Sequence, residues 1–149
     1  MTINYVFAGI AVADYDAALA WYTRFFGRSP DVIVTEHEAM WQAAGAGWIY
    51  VVGDATRAGK ALLTLLVNDL DGLVAELGQR GLEPSAIETV PGLYRKAVMT
   101  DPEGNMISLG QDLSTGAWGL PFTVRCRGAI AHWLCAAASV GPRAPQHCC

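Results

Sequence analysis

Residues 12–27 read VADYDAALAWYTRFFG, and residues 67–82 read VNDLDGLVAELGQRGL. The two stretches share one physical grammar. Each begins at the end of an apolar run, YVFAGIAV before the first helix and ALLTLLV before the second, of the kind that fits a strand buried on both faces. Asp14 and Asp69 then stand where an N-cap carboxylate can accept from the first free amides of a helix. Asp16 and Asp71 follow in the first turn, where the helix dipole favours an acid. Apolar residues recur at helical spacing: Ala17, Leu19 and Ala20, then Tyr22, Phe25 and Phe26 in the first copy, and Leu70, Leu73, Val74 and Leu77 in the second. Gly27 and Gly81 are placed to end the two helices.

Three short β-like runs follow each helix. They are DVIVTE, AMWQAA and GWIYVVG in the first copy, and SAIETV, RKAVMT and NMISLGQ in the second. The chain therefore uses a β-α-β-β-β unit twice. Module 1 is expected over about residues 3–54 and module 2 over about 60–111, together one α+β domain spanning 1–112. One unit alone leaves a sheet face uncovered, and two side by side make a curved mixed sheet around a cleft.

Beyond that domain the composition changes. All 14 acids lie in residues 1–112, whereas residues 113–149 carry three arginines, all four cysteines and no acid. We read 113–149 as a Cys/Arg-rich extension, poorly ordered or loosely packed. Its Cys126, Cys135, Cys148, Cys149, His132 and His147 form no C-x-x-C pair of the kind zinc sites use. Across the whole chain the 52% hydrophobic and 16% charged content marks a globular protein. The net charge of −4 argues against nucleic acid as a partner. No stretch approaches the ~20 apolar residues of a membrane helix, and the N-terminus has no basic region ahead of its apolar run. A soluble, cytoplasmic protein is the expectation.

The duplicated grammar resembles the vicinal-oxygen-chelate superfamily of glyoxalases, bleomycin-resistance proteins and extradiol dioxygenases. The segments that carry the likeness are Val12 to Gly27 and DPEGNMISL, Asp101 to Leu109. In the second, Pro102 presets a turn and Gly104-Asn105 tolerate positive φ. The likeness covers about residues 3–111. It implies a homodimer, with clefts that two subunits can share. In metal-dependent members it also implies cation ligands at three positions that here hold Phe7, Leu62 and Ser108. A phenyl ring and an isobutyl group have no lone pair to give, and a neutral hydroxyl replaces a carboxylate poorly. The resemblance is therefore to the metal-free, bleomycin-resistance-like branch. No metal, no cofactor and no catalytic residue is assigned.

Strand alternation then gives a cleft lining. Phe7, Gly9 and Ala11 face inward if Phe7 does. So do Leu62, Thr64 and Leu66, and Met106, Ser108 and Gly110. Trp48, Tyr50 and Val52 are the inward set of the fourth strand, Trp41 of the third is placed with them, and Tyr94 overhangs the cleft from just before the seventh. The candidate ligand-binding residues are thus Phe7, Trp41, Trp48, Tyr50, Leu62, Thr64, Tyr94, Met106 and Ser108. This apolar and aromatic set suits a small organic molecule, although aromatic residues at alternating strand positions also suit a plain core or a dimer interface.

Other constellations carry less. In Glu36-His37-Glu38, alternation sends the histidine away from the two acids, which reads as a solvated turn. Arg95-Lys96, next to Tyr94, offers two cations to an anionic ligand but reads better as a solvated turn. No nucleotide-binding or nucleophile-elbow pattern occurs, and residues 1–112 contain no cysteine. Three functions follow from the whole. The first is a binding protein that sequesters or senses an apolar or aromatic compound. The second is a lyase, isomerase or dioxygenase with displaced metal ligands. The third is a non-catalytic interaction module.

Overall fold

A computed structural model describes residues 1–114. Each module opens with a strand and a helix: β1 (Val6–Val12) and α1 (Tyr15–Phe26) in the first, β5 (Leu62–Leu66) and α2 (Leu70–Gln79) in the second. Three strands complete each: β2 (Val32–Thr35), β3 (Glu38–Ala44) and β4 (Gly47–Gly53), then β6 (Ala86–Val90), β7 (Tyr94–Thr100) and β8 (Met106–Asp112). The duplication read from the sequence is present. The strands form two four-stranded mixed sheets, ordered β1-β4-β3-β2 and β5-β8-β7-β6. In each, the opening strand pairs in parallel with the closing one, and the other pairings are antiparallel. The expected extension falls, from residue 115 onward, outside the described residues.

Both helices begin as their sequences dictate. Asp14 accepts from the Ala17 amide and Asp69 from that of Gly72, satisfying donors that a helix start leaves free. Gly27 caps α1 in the left-handed conformation, and Gly81 adopts it just after α2. The packed face of α1 differs from the sequence expectation. Ala17 and Ala20 are exposed, and the buried stripe is Tyr15, Ala18, Trp21, Tyr22 and Phe25. The 15–18–22–25 spacing follows one side of a helix, whereas 17, 19 and 20 are spread around it.

The inner sheet faces alternate as expected. Ile10 and Val12 of β1, Ile49 and Val51 of β4, and Ile107 and Leu109 of β8 join α1 and α2 in one continuous core, and Leu63 and Leu65 pack against it. Within α1 the rings form their own cluster: Trp21 stacks on Phe25 at 5.2 Å, and Tyr22 meets Trp21 edge-on at 4.8 Å. The modules are also tied through helix ends. Arg80, after α2, donates to the Phe25 carbonyl at the end of α1 and pairs with Glu76.

The Asp101–Asn105 turn is a knot between the modules. Asp101 and Asn105 are the two buried polar residues of the described chain. Asp101 accepts from the Tyr22 hydroxyl, the amides of Glu103 and Asn105, and the Asn105 side chain. Asn105 in turn donates to the Ala11 carbonyl at the end of β1 and accepts from the Ala61 amide before β5. Glu103 grips the amides of Ala13 and Asp14 with one oxygen each, both at 2.6 Å. The motif thus satisfies backbone groups of module 1 from module 2, which explains why a buried acid and amide are held there. The reach of Glu103 and Asn105 into the other module had no local signal in the sequence.

Candidate functional site

The strand registers sort the candidate residues onto faces. In the first sheet Phe7 lies opposite Trp48, and Gly9 opposite Tyr50. Met40 and Gln42 of β3 oppose Tyr50 and Trp48, so they share this face, away from the helices. Phe7 and Trp48 stack with centroids 6.2 Å apart, and Tyr5 tilts against Phe7 at 6.5 Å. Tyr50 lies across β1. A Cβ built on Gly9 would sit 2.5 Å from the Tyr50 ring and hydroxyl, so only glycine allows that placement.

In the second sheet Leu62 opposes Met106 and Thr64 opposes Ser108. Tyr94, Lys96 and Val98 pair with Asp112, Gly110 and Ser108, so they belong to the same face. The outer face of module 1 is thus aromatic and that of module 2 aliphatic, with a few hydroxyls. By register, Phe7 corresponds to Leu62 and Tyr50 to Ser108 across the duplication.

Trp41 does not join this set. It pairs with Ile49, sits on the helix side fully buried, stacks on Phe26 at 5.1 Å and donates its indole N–H to the Arg28 carbonyl. One register step moves a side chain through the sheet, and a large ring with a polar N–H found both a packed face and an acceptor there. Tyr94 also differs from expectation. It is the first residue of β7, buried rather than overhanging, with its hydroxyl donating to Glu88. Lys96 pairs with the other Glu88 oxygen at 2.9 Å. The Lys96 and Tyr94 hydrogen bonds hold the Glu88 carboxyl below its ordinary range, and its acceptance raises the Tyr94 phenol. Arg95 points to the helix side and pairs with Asp71, so Arg95-Lys96 offers no joint anion site.

The outer faces are open. Leu62 is 81% exposed, Phe7 52%, and Leu66 and Met106 are exposed as well. Neither face is covered by the other described residues. Glu36 and His37 form an exposed turn, and the His37 ring meets Tyr15 edge-on. Among the described residues no group of three or more His, Cys, Asp or Glu is gathered to hold an ion. At the positions that ligate a cation in metal-dependent relatives, Phe7 and Leu62 give no donor and Ser108 a neutral one, a set that does not fit a divalent metal. No helix of the described residues is long and apolar enough to cross a membrane.

Comparison with known proteins agrees with this architecture. The family model described as Glyoxalase/Bleomycin resistance protein/Dioxygenase superfamily matches residues 2–109. The chain belongs to that superfamily. No curated protein matches it significantly. Among solved structures, a glyoxalase/bleomycin resistance protein from Catenulispora acidiphila is 38% identical, with a TM-score of 0.71, over 73% of this chain and 98% of that one. TnmS3, an antibiotic binding protein from Streptomyces sp. CB03234, is 26% identical with a TM-score of 0.60, over 75% of this chain and 98% of its own. A lactoylglutathione lyase from Agrobacterium tumefaciens, 18% identical with a TM-score of 0.57 over 81% of this chain and 100% of that one, shares the fold.

Proposed function

We propose that this protein binds a small apolar or aromatic compound without a metal, sequestering or sensing it rather than transforming it. One observation carries the reading: the positions of the family's cation site hold Phe7, Leu62 and Ser108, on sheet faces that also expose Leu66 and Met106 and carry the half-buried rings of Trp48 and Tyr50. Such a surface with few placed polar groups suits ligand capture by shape and apolar contact. The contacts we assign are Phe7, Trp48 and Tyr50 from module 1, and Leu62, Thr64, Met106 and Ser108 from module 2. Trp41 is left out by its burial on the helix side. Tyr94 contributes through Glu88 and Lys96 at the rim. The likeness to an antibiotic binding protein supports the same reading.

The bound state we propose is a homodimer, because the described residues leave Leu62, Leu66 and Met106 in water and a second copy would cover them. A cytoplasmic location fits a binder of this kind. The test is a thermal-shift and calorimetric screen against drug-like aromatic compounds, paired with elemental analysis. Saturable binding by protein holding less than about a tenth of an equivalent of metal supports the reading. Stoichiometric, tightly held Ni, Zn, Fe or Mn turns it toward a lyase, isomerase or dioxygenase with displaced ligands.

A further inference from the structure

The outer face of module 1 holds one polar group in an unusual position. Tyr50 lies over Gly9, between the Phe7–Trp48 stack on one side and Ala11 and Val52 on the other. Its hydroxyl makes no hydrogen bond within the described residues, whereas the hydroxyls of Tyr22 and Tyr94 each donate to a carboxylate. It is also not a sealed, unsatisfied atom; the one such side-chain atom among the described residues is Arg95 Nε. The Tyr50 O–H is therefore a donor open to a ligand, flanked by stacked rings and held by a glycine that no other residue can replace without moving it.

We propose that Tyr50 is the specificity-determining residue of the site, and that the ligand class is a planar aromatic compound with a hydrogen-bond acceptor, a carbonyl or ring nitrogen, which takes the Tyr50 proton while the rings lie against Phe7 and Trp48. This rests on the small-molecule reading above and adds the ligand's chemistry to it. An acceptor that leaves water for an apolar face loses affinity unless a donor meets it. With the donor present, the acceptor-bearing ligand is the tighter one, because a site built with a polar group discriminates against the analogue that leaves it unpaired.

Two probes of nearly equal shape separate these cases: 2-acetylnaphthalene, which carries the carbonyl, and 2-ethylnaphthalene, which does not. Calorimetry with the full chain is expected to show the ketone binding roughly three- to tenfold more tightly, the effect of one neutral hydrogen bond. In Tyr50→Phe that ratio is expected to fall to about one, because the ketone loses its donor and the hydrocarbon has none to lose. Gly9→Ala displaces the ring without removing it and is expected to give the same loss of preference in a folded protein. Both variants are checked by circular dichroism. A ratio that persists in Tyr50→Phe overturns the assignment and leaves the binding function standing. Equal affinity of the parent protein for the two probes, or absence of binding by both, also overturns this inference, while the binding function is decided by the wider screen.

Discussion

Tyr22 shows how one side chain ties the fold to its motif. It is fully buried, packs against Trp21, Phe25, Phe26 and Trp41, and gives its proton to Asp101. Burial first, and the neighbouring Asp101 charge second, push its phenol far above the ordinary tyrosine range. Tyr22→Phe keeps the ring and removes one of four donors to a buried carboxylate. Urea unfolding at neutral pH is expected to show a loss of about 1–3 kcal/mol. The pH dependence has a definite sign. A folded pKa raised above the unfolded value gives stability that is whole below pH ~10 and is lost as pH climbs beyond it. The difference between wild type and Tyr22→Phe should therefore shrink above pH ~10. A difference that grows with alkalinity would refute the assigned cause.

At the scale of elements, the helix ends carry the clearest contrast. Gly27 and Gly81 both adopt positive φ, +67° and +74°, so alanine at either costs about 1–2 kcal/mol in backbone strain. Their surroundings differ. A Cβ on Gly27 meets the Arg80 guanidinium at 2.5 Å, while one on Gly81 finds nothing nearer than Arg24 at 3.9 Å. Arg80 can swing aside, but only by releasing the Phe25 carbonyl and Glu76. Gly27→Ala should thus cost roughly 1 kcal/mol more than Gly81→Ala in chemical denaturation. Adding Arg80→Ala to both should erase that excess. Equal costs in the parent background would show that the guanidinium contact between modules contributes nothing.

Across the whole molecule, the exposed aliphatic face of module 2 is the surface on which the proposed dimer would rest. Leu62 and Leu66 stand in water on β5. The double variant Leu62→Glu, Leu66→Glu should fold, since neither side chain is part of the core, yet fail to dimerise. Sedimentation or light scattering is expected to give about twice the 15.9 kDa chain mass for the parent protein and the single chain mass for the variant. A monomeric parent would remove the partner copy from the proposed site.

The sequence alone determined the duplicated β-α-β-β-β order, the Asp14 and Asp69 caps, the glycine ends and the side of β1, β5 and β8 that meets the helices. Each depends on neighbours within a few residues, where alternation and capping chemistry act directly. Only the tertiary structure decided that Trp41 belongs to the core, that Ala18 and Trp21 rather than Ala17 and Ala20 face it, and that Tyr94 is tied to Glu88. Those outcomes turn on strand register and on partners 6 and 13 residues away, and no local pattern encodes which acceptor a buried donor will reach. Likewise the Tyr50 hydroxyl could be called open only once Gly9 was found beneath it, because a close approach between strands is a property of their pairing and not of either strand's own sequence.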